Sequence, residues 1–129
     1  MFAHDIGTTG CAMTETLCPK PSKAVAQRRR ALAPEIDAAF QQFSEAVFKQ
    51  GTLPRKTKQL IAVAVAHVTQ CPYCIRGHTK AASQEGATPE EIMEAIWVAA
   101  EMRAGAASAH SVLALDALDE MRAGSDAPA

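Results

Sequence analysis

The chain has 129 residues and a formal net charge of −1, with an isoelectric point near 6.4, a length that fits one domain able to bury a core without disulfide staples. Apolar residues make up 48% of it but aromatics only 5%, so Ala, Val, Leu and Ile supply the hydrophobic surface, as in packed helices rather than an aromatic-rich β sandwich. This charge balance excludes the basic field that nucleic acid or an anionic membrane calls for, and the one basic run, Gln27-Arg28-Arg29-Arg30, is read as a solvated flank.

The N-terminal stretch MFAHDIGTTGCAMTETLC lacks a basic start followed by a long apolar run, the pattern of a signal peptide or anchor, so a cytoplasmic protein is expected. The longest apolar run, Leu60 to Ala66, falls far short of the roughly 18 residues of a membrane span. In a reducing compartment, four cysteines point to metal or redox chemistry before structural disulfides. Cys11 and Cys18 lie in a polar, Thr-rich leader and are read as incidental. Residues 1–23 are expected to be a flexible leader, 24–124 a helical domain, and 125–129 a frayed tail.

From Ala24 onward, basic and small residues suit a short helix that Pro34 interrupts or restarts. Between Pro34 and Gln50, the residues Ile36, Phe40, Phe43 and Val47 recur at i, i+4, i+7 and i+11. This predicts a helix whose apolar face packs on the core and which stops at Gly51. Thr52 and Pro54 mark a new start, and Leu60 to Ala66 is apolar nearly all round, as expected of a central helix surrounded by others. Pro72 suits the first position of a further helix running to about Glu85, with Cys71 as its N-cap and Gly86 closing it. Thr88-Pro89-Glu90-Glu91 has the form of a capping box opening a fourth main helix. Ile92, Ile96 and Ala99, with Trp97 nearby, should form its buried side, and Gly105 is expected to break it before a last helix through about Met121. The expectation is therefore an all-α fold.

The stretch QCPYCIRGHT, Gln70 to Thr79, holds the densest chemistry. On a helix starting at Pro72, Cys74 and His78 are i, i+4 neighbours, which brings an imidazole within reach of a thiol. Cys71 and Cys74 both lie at the positive end of that helix, where free N–H groups favour the thiolate. Their spacing also allows a small disulfide loop, so that one cysteine can attack an oxidant and the other resolve the product. Zinc is an alternative, since Cys71, Cys74 and His78 would supply three ligands. A fourth is harder to find: on one continuous helix His67 and His78 would be spread over about 16 Å. Two inert buried thiols are the third reading.

The longer run LPRKTKQLIAVAVAHVTQCPYCIRGHTKAASQEGATPEEIMEAIWVAA, Leu53 to Ala100, resembles the carboxymuconolactone decarboxylase family, and within it the branch similar to alkyl hydroperoxidase D. The likeness combines the cysteine pair and His78 with the apolar helix before them and the Gly86 to Glu91 turn after them. It implies an alkyl hydroperoxidase D-like helical bundle, assembled as a trimer or hexamer. It also implies a thiol peroxidase or disulfide reductase acting on small hydroperoxides, re-reduced by a dithiol partner such as a lipoyl or thioredoxin-like protein, with no metal or organic cofactor. Carried over, Cys74 would be the peroxidatic thiol, Cys71 the resolving thiol, and His78 part of the proton relay. Lactone decarboxylases of the family lack the redox pair, which weighs against a decarboxylase-like lyase acting on a small organic acid. A non-catalytic redox-sensing or binding protein is the other alternative.

One position departs from the family pattern: Gln59 stands where the relay usually has a glutamate. An amide can orient a histidine or a water but cannot take up a proton as a carboxylate does. His67, one turn before Cys71, is the residue that could take over, or else a core or interface histidine bonded to a carbonyl. Tyr73 is expected to pack at the surface and His110 to sit at a surface or interface. Trp97, Phe40, Phe43 and Met93 are read as core or subunit contacts, and Arg55 and Lys56 as solvated.

Overall fold

A computed structural model describes residues 22–125 of the chain. Five helices follow one another: α1 (Lys23–Leu32), α2 (Pro34–Phe48), α3 (Arg55–Val68), α4 (Pro72–Gln84) and α5 (Pro89–Ser125), with no strand among the described residues. The all-α expectation holds. The leader with Cys11 and Cys18 and the end of the tail lie outside the described residues. The chain divides between Lys49 and Gln50 into two compact units.

In the first unit, Ser22 caps α1 by accepting from the Val25 N–H at 3.1 Å. Pro34 opens α2 immediately after Ala33, because its fixed φ suits a first helical position while its ring cannot continue the preceding helix. Asp37 on α2 draws in Arg29 and Arg30 of α1 at 3.4 and 3.7 Å. The basic run is therefore partly paired, although the arginines keep most of their exposure. The apolar stripe of α2 is helical as expected, but Ile36, Phe40, Phe43 and Val47 all remain exposed, Phe40 at 61% and Phe43 at 63%. Within this unit α2 has no buried residue.

The second unit is built on α3, which packs against both α4 and α5. Its core is small: Val63 and Ala82 are completely buried, Ala87 joins them, and Leu60, Ile92 and Ile96 close the cluster from its edges. Ala66 and Ala99 are also buried, each 3% exposed. Alanines at these crossings let helix backbones approach closely, and completely burying Val63 contributes about 1.5–3 kcal/mol. The expectation that α3 is enclosed on all sides is not met, since Ile61, Val65 and Val68 stay exposed along a second face. Trp97, 68% exposed, and Met93 are likewise outside the core, turned away from the Ile92, Ile96 and Ala99 side.

Both corners of this unit end their helices in the same way. After α3, Gln70 takes a left-handed φ of 55° and the Cys71 N–H bonds Ala66 O at 3.1 Å. After α4, Gly86 takes φ 83° and the Ala87 N–H bonds Ala82 O at 2.9 Å. Each is a Schellman turn, which reverses the chain while satisfying helix-end carbonyls. Thr88 then caps α5 as a capping box: its hydroxyl accepts from the Glu91 N–H at 3.2 Å and Glu91 accepts from the Thr88 N–H at 2.9 Å.

The expected break at Gly105 is absent, and α5 runs unbroken for 37 residues. One glycine costs a helix about 1 kcal/mol relative to alanine. Here it is flanked by Ala104, Ala106, Ala107 and Ala109, the strongest helix formers, and the break is outweighed. Among the described residues, no helix is long and apolar enough to cross a membrane.

Candidate functional site

The Schellman turn after α3 delivers Cys71 to the N-cap of α4, with extended backbone, and places Pro72 at the first helical position. Cys74 then lies in the first turn, its Cα 5.3 Å from that of Cys71, and the two sulfurs are joined in a disulfide. That Cα separation is ordinary for such a bond. The Cys74 N–H also donates to Cys71 Sγ at 3.3 Å. A serine or threonine oxygen usually fills this role at a helix start; here a sulfur does, and the same N–H favours negative charge on that sulfur once the disulfide is reduced. Both cysteines are half-buried.

His78 follows Cys74 by one turn on the same face of α4. Its Nδ1–H donates to Gln59 Oε1 of α3 at 2.8 Å. With Oε1 as acceptor, Nδ1 holds the proton and Nε2 is the basic nitrogen. Gln59 thus fixes the tautomer and orientation of the ring without supplying the charge a carboxylate would bring. Of the sequence-predicted residues, Cys71 is joined to Cys74 at the start of α4 and His78 is bonded to Gln59 across α3 and α4.

His67 is placed differently. It stands eight residues beyond Gln59 on α3, about 12 Å along the helix axis, and its Nδ1–H donates to Val63 O at 2.7 Å. It lines a hollow of about 350 Å³ together with Ile96, Ala99, Ala100 and Arg103 of α5. Bonding to a carbonyl was one of the two sequence expectations for His67. Tyr73 is 46% exposed, and His110 is exposed on α5.

Arg55 is exposed as expected and Lys56 is half-buried, and both also tie the start of α3 to the second corner. Arg55 pairs with Glu85 at 3.0 Å and Lys56 with Glu91 at 2.7 Å. The Lys56 hydrogen bond, followed by the Thr88 N–H, holds the Glu91 carboxyl below its ordinary range. Glu90 is lowered as well, by backbone and Thr88 hydrogen bonds at the helix start. Among the described residues, no three His, Cys, Asp or Glu side chains are grouped so as to hold a metal ion.

Sequence reading missed Arg103. Its signal was present, because Ile96, Ala99 and Arg103 recur at i, i+3 and i+7 and so share one face of α5.

The sequence profile of the carboxymuconolactone decarboxylase family matches residues 34–117. A Paracoccus denitrificans protein known as "uncharacterized protein 4 in cox locus" is 62% identical over 109 residues, spanning 84% of this chain and 97% of the relative. The crystal structure of a carboxymuconolactone decarboxylase family protein from Legionella pneumophila superposes with a TM-score of 0.58 at 33% identity, covering 85% of this chain and 90% of the other. A Thermotoga maritima family protein, named for a possible involvement in antioxidative response, reaches a TM-score of 0.50 at 34% identity over 69% of this chain and 92% of its own.

Proposed function

The chain belongs to the carboxymuconolactone decarboxylase family, and from that premise we propose that it is a thiol-dependent peroxidase or disulfide reductase working through Cys71 and Cys74. One observation carries the reading: a disulfide at the start of α4, with a Gln59-oriented His78 one turn further along the same helix. The antioxidative involvement suggested for the Thermotoga relative points the same way.

In the proposed cycle, the Cys74 thiolate attacks the terminal oxygen of a hydroperoxide. An S–O bond forms, the O–O bond breaks, and the alkoxide leaves as an alcohol after taking a proton. His78 Nε2 accepts the thiol proton beforehand and is the source of the proton for the leaving group. Cys71 then attacks the sulfenic sulfur, forming the disulfide, and the proton its thiol gives up goes to the departing hydroxide, which leaves as water. A dithiol partner, lipoyl or thioredoxin-like, restores both thiols by exchange and becomes a disulfide itself, closing the two-electron balance.

Gln59 favours a second reading, a redox sensor that oxidises without rapid turnover, because the amide cannot share the proton as a carboxylate would. The test is the rate of Cys71–Cys74 disulfide formation with hydrogen peroxide and an organic hydroperoxide, in wild type and in Gln59→Glu. The expected result is fast, saturable oxidation in wild type with little further gain in Gln59→Glu, the relay working without its carboxylate. Inertness of both proteins toward both oxidants overturns the peroxidase reading. Oxidation that is slow in wild type and rescued by Gln59→Glu puts the sensor ahead.

The same proposal includes assembly as a homo-trimer or homo-hexamer in the cytoplasm. Its support is the small core set against the exposed apolar faces of α2 and of Ile61, Val65 and Val68, more than a monomer of this size ordinarily leaves in water. A monomeric mass by light scattering at micromolar concentration would count against it.

A further inference from the structure

The hollow beside His67 is chemically unlike the cysteine site, and its five lining residues form a coherent set. Arg103 is a permanent cation whose planar fork suits a carboxylate. Among the described residues it forms no ion pair, and no Asp or Glu lines the hollow to neutralise it. Ile96, Ala99 and Ala100 form an apolar wall, with Ala99 almost completely buried.

His67 completes the set with a defined polarity. A carbonyl oxygen only accepts, so the 2.7 Å contact with Val63 O requires the proton on Nδ1. Nε2 is left as the ring nitrogen available to an occupant, and in the neutral imidazole it is an acceptor. The hollow therefore offers one cation, one hydrogen-bond acceptor and an apolar side. Its volume, about 350 Å³, is at the lower end of small-molecule sites.

We propose that this hollow binds a small carboxylate that also carries a hydroxyl group, with the carboxylate on Arg103, the O–H donated to His67 Nε2 and a short hydrocarbon body against Ile96, Ala99 and Ala100. A plain fatty acid leaves the imidazole acceptor unmet. A diol leaves the guanidinium without its anion. A hydroxy acid satisfies both, and the apolar wall disfavours a second charge. The site uses neither cysteine, so the proposal stands or falls separately from the thiol chemistry.

The experiment is calorimetric titration of the full chain with hydroxyhexanoates bearing the hydroxyl at carbon 2, 3 or 6, compared with hexanoate and 1,2-hexanediol. At least one hydroxy acid is expected to bind saturably, about tenfold or more tighter than either comparison compound, as a charge-assisted pair and a matched hydrogen bond together provide. Arg103→Met, at an exposed position, is expected to weaken the acid by about tenfold or more, while Arg76→Met on α4 leaves it unchanged. His67→Phe is expected to make the hydroxy acid and hexanoate bind equally. The proposal is overturned by the absence of saturable binding, by binding retained in Arg103→Met, or by hexanoate matching every hydroxy acid in wild type. Should His67→Phe not fold, the Arg103→Met and hexanoate comparisons still decide it.

Discussion

At the corner between α3 and α4, Gln70 is held at φ 55° and a cysteine caps the next helix. At the corner between α4 and α5, Gly86 is held at φ 83° and Thr88 caps the next helix. Both corners use the same Schellman hydrogen bond and both put a proline at or beside the first helical position, so the backbone problem they solve is the same. The residues chosen differ in cost. Glycine adopts the left-handed conformation without steric penalty, and threonine with Glu91 makes a capping box. Glutamine there costs about 1–2 kcal/mol, and sulfur is a weaker acceptor than a hydroxyl oxygen. Departures from the stable choice are confined to the corner that holds the disulfide, as expected where residues are kept for chemistry rather than for stability.

The largest effect should come from removing the sulfur at the first corner. Cys71→Ser is expected to abolish the intramolecular disulfide and all turnover through it, measured by thiol titration and peroxide consumption. The same change is expected to hold or raise stability relative to the reduced wild type, by up to about 1 kcal/mol, because serine is a preferred N-cap. Its counterpart, Thr88→Ala, should lose about 1 kcal/mol of stability while leaving disulfide formation at its wild-type rate. A Cys71→Ser protein clearly less stable than reduced wild type would mean that the sulfur is structural, and the contrast between the corners would fail.

A smaller pair of effects tests the left-handed positions directly. Gly86→Ala should destabilise by about 1–2 kcal/mol, and since a Cβ there meets nothing within 4 Å, that loss is a backbone effect alone. Gln70→Gly should stabilise by roughly 0.5–1 kcal/mol, less than the full relief because glycine gives up more freedom on folding. Urea denaturation of both variants reads the difference. Equal and negligible effects would mean that the two turns are under the same demand.

Much of this was legible in the sequence because it rests on local rules. Cys71-Pro72 and Thr88-Pro89 announce helix starts, and Gly86 announces an end, through what each residue does to its own backbone. The Cys74 and His78 juxtaposition follows from helical spacing. Gln70 gave no such signal, since only the Schellman hydrogen bond forces a non-glycine into the left-handed region. Gly105 misled, because a single glycine's local preference is outweighed by the alanines around it. The apolar stripe from Ile36 to Val47 was read correctly as one face of a helix, but periodicity says only that a face is apolar, not what covers it. The ion pairs of Arg55 and Lys56 and the place of Arg103 were missed for the converse reason. Glu85 and Glu91, the partners of Arg55 and Lys56, and His67, which shares the hollow with Arg103, are 30 or more residues away in sequence and become neighbours only through packing.

The smallest predicted effect concerns the latch that distinguishes the second corner. Glu91 accepts from Lys56 and from the Thr88 N–H, and both interactions favour its charged form, so its carboxyl titrates below the ordinary value of 4.5. A group whose folded-state value is depressed stabilises the fold above its unfolded value, and that contribution disappears as pH falls through the folded value. The latch should therefore be complete above about pH 4.5 and weaken progressively below it. Glu91→Gln is expected to lower stability at neutral pH and to converge on wild type under acid, giving a flatter acid limb in denaturation measured from pH 6 to pH 2. Because Lys56 and Glu91 each keep more than a third of their side-chain surface in water, salt should reduce the difference at neutral pH. The first corner has no carboxylate in this role, so the same substitution should leave disulfide formation at Cys71 and Cys74 unchanged. A parallel loss of oxidation rate in Glu91→Gln would show that the two corners are coupled through α3.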